Sequence, residues 1–444
     1  MSKRVAIVGA GASGLAAARW ALLYGVAPVV FESSSEVGGL WSFKEDVRED
    51  WPCKKDTDGI RRPLGRGGST KIYEGKVPLT MTRCLGASVM KNTTINTSKE
   101  MTAFSDFVPD KEFPIFMRQQ EVHKYLLDYT KHHGLEKYIK FKSSVVAVRR
   151  SDDYTESGKW VVEYTEKYET DTKSEIFDGV LMCCGHHSVP WRPLPWRNEK
   201  EFKGKILHST EYRIADEFKN KTVVIVGFGN SAVDCAVDLS NVAKQVYLST
   251  RRGAWIKPRL GSEGKPLDIL SKTRFNYYKN MIVPSFLKTF LMERELQQRI
   301  DHAAYGIQPE HHVFCDELPI KIATGQVIIK PNIEGFEANS VEFDDGSIVE
   351  DVDYVILCTG FSFDFNIIEN GQLVAVFPEN DAHLYKYMYP TKLSDHNSLA
   401  MIGYVQDPTN GKVPGMQFRR PAKECFIQTP YLRSVPFCAM LLII

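Results

Sequence analysis

The chain has 444 residues, 43% of them hydrophobic and 25% charged, with a formal net charge of +1. That length implies two to three domains, each able to bury a substantial core. The balanced charge, without a long basic block or basic–aromatic array, leaves no footprint for a nucleic-acid partner. Nine cysteines, an odd number without a C-x-x-C, fit a reduced compartment better than a disulfide scaffold.

Met1-Ser2-Lys3-Arg4 ahead of an apolar stretch imitates a signal peptide, but cleavage there would destroy a glycine fingerprint, so the signal reading is rejected. Val5-Ala6-Ile7-Val8 reads as a strand entering Gly9-Ala10-Gly11-Ala12-Ser13-Gly14 and then an Ala/Leu-rich helix. In such a unit the first Gly makes a tight turn and the second lets backbone approach a pyrophosphate. The third packs helix on strand, and the pyrophosphate rests on the helix N-terminus. The next strand, Ala27-Pro28-Val29-Val30-Phe31, ends in Glu32, 18 residues beyond Gly14, an acid able to accept from ribose hydroxyls as FAD or NAD requires. Glu36-Val37-Gly38-Gly39-Leu40-Trp41 follows as a Gly-turn suited to close backbone approach beside a bound cofactor. Residues 44 to 82, polar and without periodicity, read as a long surface insertion. Gln119 to Tyr129 is helix-like, Val145 to Val148 and Trp160 to Tyr164 read as meander strands, and Gly179 to Gly185 reads as a buried strand ending in Gly.

A second fingerprint, Val223-Val224-Ile225-Val226-Gly227-Phe228-Gly229-Asn230-Ser231-Ala232, begins its glycines 218 residues after Gly9. The 23 residues that separate Gly9 from Glu32 lead from Gly227 to Thr250, followed by Arg251 and Arg252. An acid there would repel a 2′-phosphate, whereas two guanidiniums attract one, so this unit reads as an NADPH site. The apolar run Met281 to Met292 leaves an interfacial helix and a core-packed helix both open. Asp353 to Phe361 is a near-copy of the strand that ends at Gly185. Two such crossings around the second fingerprint suggest a nested architecture, in which one nucleotide domain interrupts the other. The expected fold is α/β with two Rossmann-like dinucleotide-binding domains, the NADPH domain inserted into the FAD domain. Residues 1–186 and 351–444 are assigned to the FAD domain and 187–350 to the NADPH domain, with a membrane-contacting helical insertion at 265–310. The apolar Phe437 to Ile444 is too short to span a bilayer and would lie on a membrane or pack. No metal cluster and no Ser/His/Asp constellation is apparent.

Phe202-Lys203-Gly204-Lys205-Ile206-Leu207-His208-Ser209-Thr210-Glu211-Tyr212 fits F-x-G-x-x-x-H-x-x-x-[FY]. With both glycine motifs, Glu36 to Trp41 and Cys358-Thr359-Gly360-Phe361, it resembles the flavin-containing monooxygenases from residue 3 to about residue 420. That resemblance implies FAD in the first fold and NADPH in the second, hydride reduction of the flavin, and O2 addition to a C4a-(hydro)peroxide. A small-molecule amine or sulfide then takes the distal oxygen. Asn96-Thr97-Ser98-Lys99-Glu100 matches the family's N-[ST]-x-K-E segment, which assigns Asn96 to the intermediate and places Thr97 beside the cofactor. It also places Gly39, Leu40, Trp41 and Gln406 near the flavin, Asn230 and Ser231 on the pyridine nucleotide, and Arg251 with Arg252 on the 2′-phosphate. His208 is expected to shape the domain junction rather than to catalyse, and Cys183 and Cys184 to pack. Endoplasmic-reticulum attachment on the cytosolic face, with a cytoplasmic alternative, and a homo-oligomer complete what the family suggests. Baeyer–Villiger enzymes share the chemistry, but their signature ends in Trp-Pro where this chain has Tyr212-Arg213. The unfamiliar end after Met416-Gln417-Phe418-Arg419-Arg420-Pro421 raises a non-enzyme rival, a truncated nucleotide-binding form.

Overall fold

The computed structural model describes residues 2–45, 89–166, 171–187, 189–251, 253–261, 264–271, 312–374 and 382–404 except 394, with isolated positions between. Two five-stranded sheets, parallel throughout, organise these residues. The first runs in the order Leu399–Met401, Gly179–Met182, Arg4–Val8, Ala27–Phe31, Ile139–Lys140. The second runs Val327–Lys330, Gln245–Ser249, Thr222–Val226, Tyr354–Leu357, Lys205–His208. The near-continuous apolar sequence of each central strand follows from burial on both faces, as parallel sheets require.

Alternation along a strand sends neighbouring side chains to opposite faces. Val5 and Ile7 pack with the helices Ala12–Leu23 and Gln119–His132. Ala6 and Val8 pack instead on the antiparallel meander Ser143–Arg150, Trp160–Glu166, Lys173–Phe177, whose Trp160 is fully buried. The second unit repeats the device: Val223 and Ile225 face the helix Asn230–Leu239, while Val224 and Val226 face the three-stranded sheet of Ile333–Phe336, Val341–Phe343 and Ile348–Val349. Each fully buried Val or Ile contributes about 1.5–3 kcal/mol relative to exposure.

The first sheet takes strands from before residue 183 and after residue 398, and the second takes strands from 205 to 357. The expected nesting is therefore present. The chain's two passages lie side by side: Val189–Pro190 pairs antiparallel with Phe361–Ser362, and the Trp191 N–H donates to the Gly360 carbonyl at 2.8 Å. One detail of the boundaries shifts. Tyr354–Leu357, placed by sequence in the returning part of the first unit, pairs with Thr222–Val226 and Lys205–His208 in the second sheet.

The two near-copy strands thus serve different units, and their likeness has a physical basis. Each begins with an aspartate that accepts the first N–H of its fingerprint strand: Arg4 N to Asp178 Oδ2 at 2.8 Å and Thr222 N to Asp353 Oδ2 at 2.9 Å. Each ends in a cysteine whose carbonyl presses on the first fingerprint glycine. Among the described residues no helix is long and apolar enough to cross a membrane. Most of residues 44–82, most of 281–292 and all of 437–444 lie outside the described residues.

Candidate functional site

In the first loop Gly9 adopts φ +102°, and a Cβ there would lie 2.6 Å from the Cys183 carbonyl oxygen. A Cβ on Gly14 would come within 1.8 Å of the Gly9 oxygen. The glycines are therefore required by contact as well as by conformation. Gly11 precedes the helix Ala12–Leu23, whose Ala12, Ser13 and Gly14 are buried. First-turn N–H groups lack intrahelical acceptors and offer an anion their hydrogens. Glu32, 6% exposed, takes the Ala10 N–H on Oε2 at 2.7 Å and the Ser34 N–H on Oε1 at 2.8 Å. Oε1 also accepts from Ser33 Oγ at 3.3 Å, which leaves a lone pair on Oε2 for a ribose hydroxyl.

The turn Gly39–Trp41 closes over this loop. The Gly38 N–H donates to the Ala10 carbonyl at 3.1 Å, and a Cβ on Gly39, itself at φ +53°, would be 3.0 Å from the Gly11 Cα. Leu40 is half-buried and Trp41 buried, its indole in the first core under the turn. The backbone cradle and the ribose acceptor fit a dinucleotide such as FAD.

The second loop has the same build with fewer covers. Gly227, at φ +114°, is pressed so that a Cβ would meet the Cys358 carbonyl oxygen at 2.4 Å. A Cβ on Gly229, by contrast, would meet no atom of the described residues within 4 Å. Ser231 is exposed at the start of Asn230–Leu239 and Ala232 is fully buried. Asn230 Oδ1 accepts the Phe314 N–H at 3.2 Å, which fixes its amide against the neighbouring strand. Thr250 is buried; its N–H donates to the Lys330 carbonyl and its Oγ1 accepts from Gly253 N. It shapes the turn that carries the exposed Arg251. Arg252 and Gln406 lie outside the described residues.

Between the units lies Asn96. Its Oδ1 accepts from Nη2 of Arg259 at 3.0 Å, a contact across 163 residues from the first unit to the second. Because a guanidinium only donates, the amide oxygen faces Arg259 and the NH2 group points away from it. Arg259 is itself held by Asp316, through N at 3.0 Å and Nη1 at 3.2 Å. Nearby Asp234 has its carboxyl pushed up to about 7 by burial, with Arg259 opposing and Asp238 and Glu317 adding to the rise. Thr97 turns inward, its Oγ1 2.7 Å from that of Thr102. The buried Lys99 donates through Nζ to the carbonyls of Asp110, Lys111 and Phe113. Arg259 was missed in the sequence, where its only signal is a lone arginine two residues past the strand Ala254–Lys257.

His208 belongs to the junction. Its Nδ1 accepts the Thr210 N–H at 3.2 Å, and its Nε2 lies 3.2 Å from the Gly360 carbonyl at the returning passage. Those partners select the neutral ring protonated at Nε2. His187, tilted against Phe361 with ring centroids 4.8 Å apart, is depressed to about 3 by burial and by His186. Cys183 is buried as expected, with its thiol raised by burial; Cys184 keeps exposed surface, but its thiol lies against Tyr404 and burial pushes it up to about 12.

A family model described as Flavin-binding monooxygenase-like matches residues 2–53 and 83–419, leaving out the core of the stretch read as an insertion. The chain is 39% identical over 411 residues to Flavin-containing monooxygenase 5 of Oryctolagus cuniculus, covering 91% of this chain and 69% of the relative. It is 33% identical over 413 residues to Dimethylaniline monooxygenase [N-oxide-forming] 2 of the same species, covering 91% and 70%. Among solved structures, S-allyl-L-cysteine S-oxygenase from Allium sativum superposes with a TM-score of 0.62 at 23% identity, covering 94% of this chain and 75% of that one. The parallel sheets and paired glycine cradles agree with that fold, and FAD and NADPH are the cofactors they serve. The chain belongs to the flavin-binding monooxygenase-like family.

Proposed function

We propose that the protein is an NADPH- and O2-dependent monooxygenase that oxygenates soft nitrogen or sulfur atoms of small molecules. The observation that carries this reading is the placement of Asn96, oriented by Arg259 where the flavin unit meets the nucleotide unit. FAD, once reduced by hydride from NADPH, supplies oxygen activation; the chain supplies binding, orientation and exclusion of water. The glycine loop and Glu32 hold the flavin nucleotide, and Arg251 with Arg252 takes the 2′-phosphate. Asn96 turns its NH2 toward the bound groups and donates there. No described histidine, cysteine or carboxylate is needed as an acid or base on substrate. The names of the amine- and sulfide-oxidising relatives support the substrate class, and Tyr212-Arg213 in place of Trp-Pro favours it over ketone oxygenation. Peripheral attachment to the cytosolic face of the endoplasmic reticulum accompanies this reading, on the relatives' likeness alone.

The test records the flavin absorbance of the purified chain first, and then NADPH and O2 consumption with a tertiary amine, a thioether and a cyclic ketone. Yellow protein with amine or thioether turnover is expected. Colourless protein supports the non-enzyme rival, and turnover confined to the ketone defeats the proposed substrate class.

A further inference from the structure

We infer that Asp268, on the second unit, is a positioning residue for Asn96, acting through Ser98; the inference rests on the proposed role of Asn96. Its Oδ2 accepts both the Ser98 N–H at 2.7 Å and the Ser98 Oγ–H at 3.0 Å, while its Oδ1 is held by the Ile269 N–H at 2.8 Å. Ser98 is fully buried, and Asp268 is the acceptor that satisfies its N–H.

The segment alternates its anchors. Ile95 N donates to the Met117 carbonyl at 3.0 Å and Lys99 N to the Ile115 carbonyl at 2.7 Å, which fastens the flanks to the first unit. Asn96 and Ser98, two residues apart, both reach the second unit, to Arg259 and Asp268. Asn96 and Thr97 lie in a bend, and Ser98 leaves it in extended backbone at φ −62°, ψ 154°, so the tie from the Ser98 N–H to Asp268 sets where that bend sits. Arg259 fixes the amide's orientation, and Asp268 fixes the height of the backbone that carries it. Arg259 and Asp268 flank one excursion of the chain, joined where the Leu267 N–H donates to the Arg259 carbonyl at 2.8 Å. Seating of the nucleotide unit is thereby transmitted to the site amide through two contacts separated by 163 and 170 residues in sequence.

The experiment compares Asp268→Ala, Asp268→Asn and Asn96→Leu in the full chain by two readouts. Hydrogen exchange at Ser98 through Thr102 needs no turnover, and the fraction of NADPH oxidation that ends as peroxide reports coupling. In Asp268→Ala the Ser98 amide should exchange about tenfold faster and the peroxide fraction should rise severalfold, with KM for NADPH unchanged within about twofold. Asp268→Asn, which keeps one carbonyl acceptor, should fall between. Wild-type exchange at Ser98, or faster exchange with unchanged coupling, overturns the inference. So does uncoupling in Asp268→Ala that appears only with loss of FAD and a fallen melting temperature. Uncoupling in Asn96→Leu without uncoupling in Asp268→Ala defeats the inference alone, whereas coupled turnover in Asn96→Leu defeats the reading beneath it.

Discussion

The two nucleotide loops are built on one template and finished differently. In both, an aspartate ties the start of the fingerprint strand and a cysteine carbonyl crowds the first glycine, at would-be Cβ distances of 2.6 and 2.4 Å. The first loop is then roofed by Gly38 and Gly39, and its following strand ends in an engaged, buried Glu32. In the second no described residue crowds Gly229, and the following strand ends in Thr250 before an exposed arginine. Backbone therefore packs on the first loop, whereas no described residue packs on Gly229. The difference suits a flavin retained through many cycles and a nicotinamide coenzyme that binds in each.

The sharpest way to break the comparison is at the third position of each fingerprint. Gly14→Ala would drive a methyl to 1.8 Å from the Gly9 oxygen, so the helix must leave the strand. We expect loss of bound flavin and a drop in stability of about 3 kcal/mol or more, in the range of severe overpacking. The second loop already carries Ala232 there, and Ala232→Gly should cost only about 1 kcal/mol, the helix-propensity and burial difference. Flavin content and thermal melting measured on both variants decide the matter; equal losses would show that the two loops are not finished as described.

A smaller effect should separate the ends of the second strands. Replacing Arg251 and Arg252 by Ala should raise KM for NADPH by about 10- to 100-fold, as expected for loss of charge-assisted contacts to phosphate, while KM for NADH changes little. Equal changes for the two coenzymes would remove the 2′-phosphate from this turn.

Much of this contrast is legible in sequence because it is local. A strand, three glycine-spaced positions and the residue ending the next strand all lie within 29 residues, Arg4 to Glu32 and Thr222 to Thr250, and backbone sterics demand them whatever the rest of the fold does. The near-copy of Gly179–Gly185 at 353–361 is visible too, but not its meaning. Only pairing shows that Tyr354–Leu357 lies inside the second sheet, while Gly179–Met182 lies inside the first. The Asn96 amide, proposed for the site, is pointed to by its N-[ST]-x-K-E segment, whereas the residues that hold it in place are not. Arg259 and Asp268 meet Asn96 and Ser98 only because two domains dock, and no periodicity or turn chemistry encodes a contact of that kind.

Acid should distinguish the carboxylates that tie each unit at its strand starts. In the first unit burial would raise Glu175, but hydrogen bonds from Lys140, Arg4 and Tyr164 outweigh it and hold the carboxyl down at about 2. In the second, burial of Asp353 is likewise outweighed, by the Thr222 N–H and Lys221, and its carboxyl is also lowered. A carboxylate depressed in the folded state stabilises above its unfolded pKa, and that stability is lost as pH falls through the folded value. Glu175→Gln should therefore cost about 2 kcal/mol at pH 7, a difference that shrinks from about pH 4.5 downward as the wild type loses the same interaction. Asp353, whose lysine partner is 43% exposed, is screened by solvent, so Asp353→Asn should cost no more than about 1 kcal/mol at pH 7. Denaturant melts at pH 7 and pH 3 measure both. If the cost of Glu175→Gln were the same at the two values, the Lys140–Glu175–Arg4 network would not be what holds the edge of the first sheet to its meander.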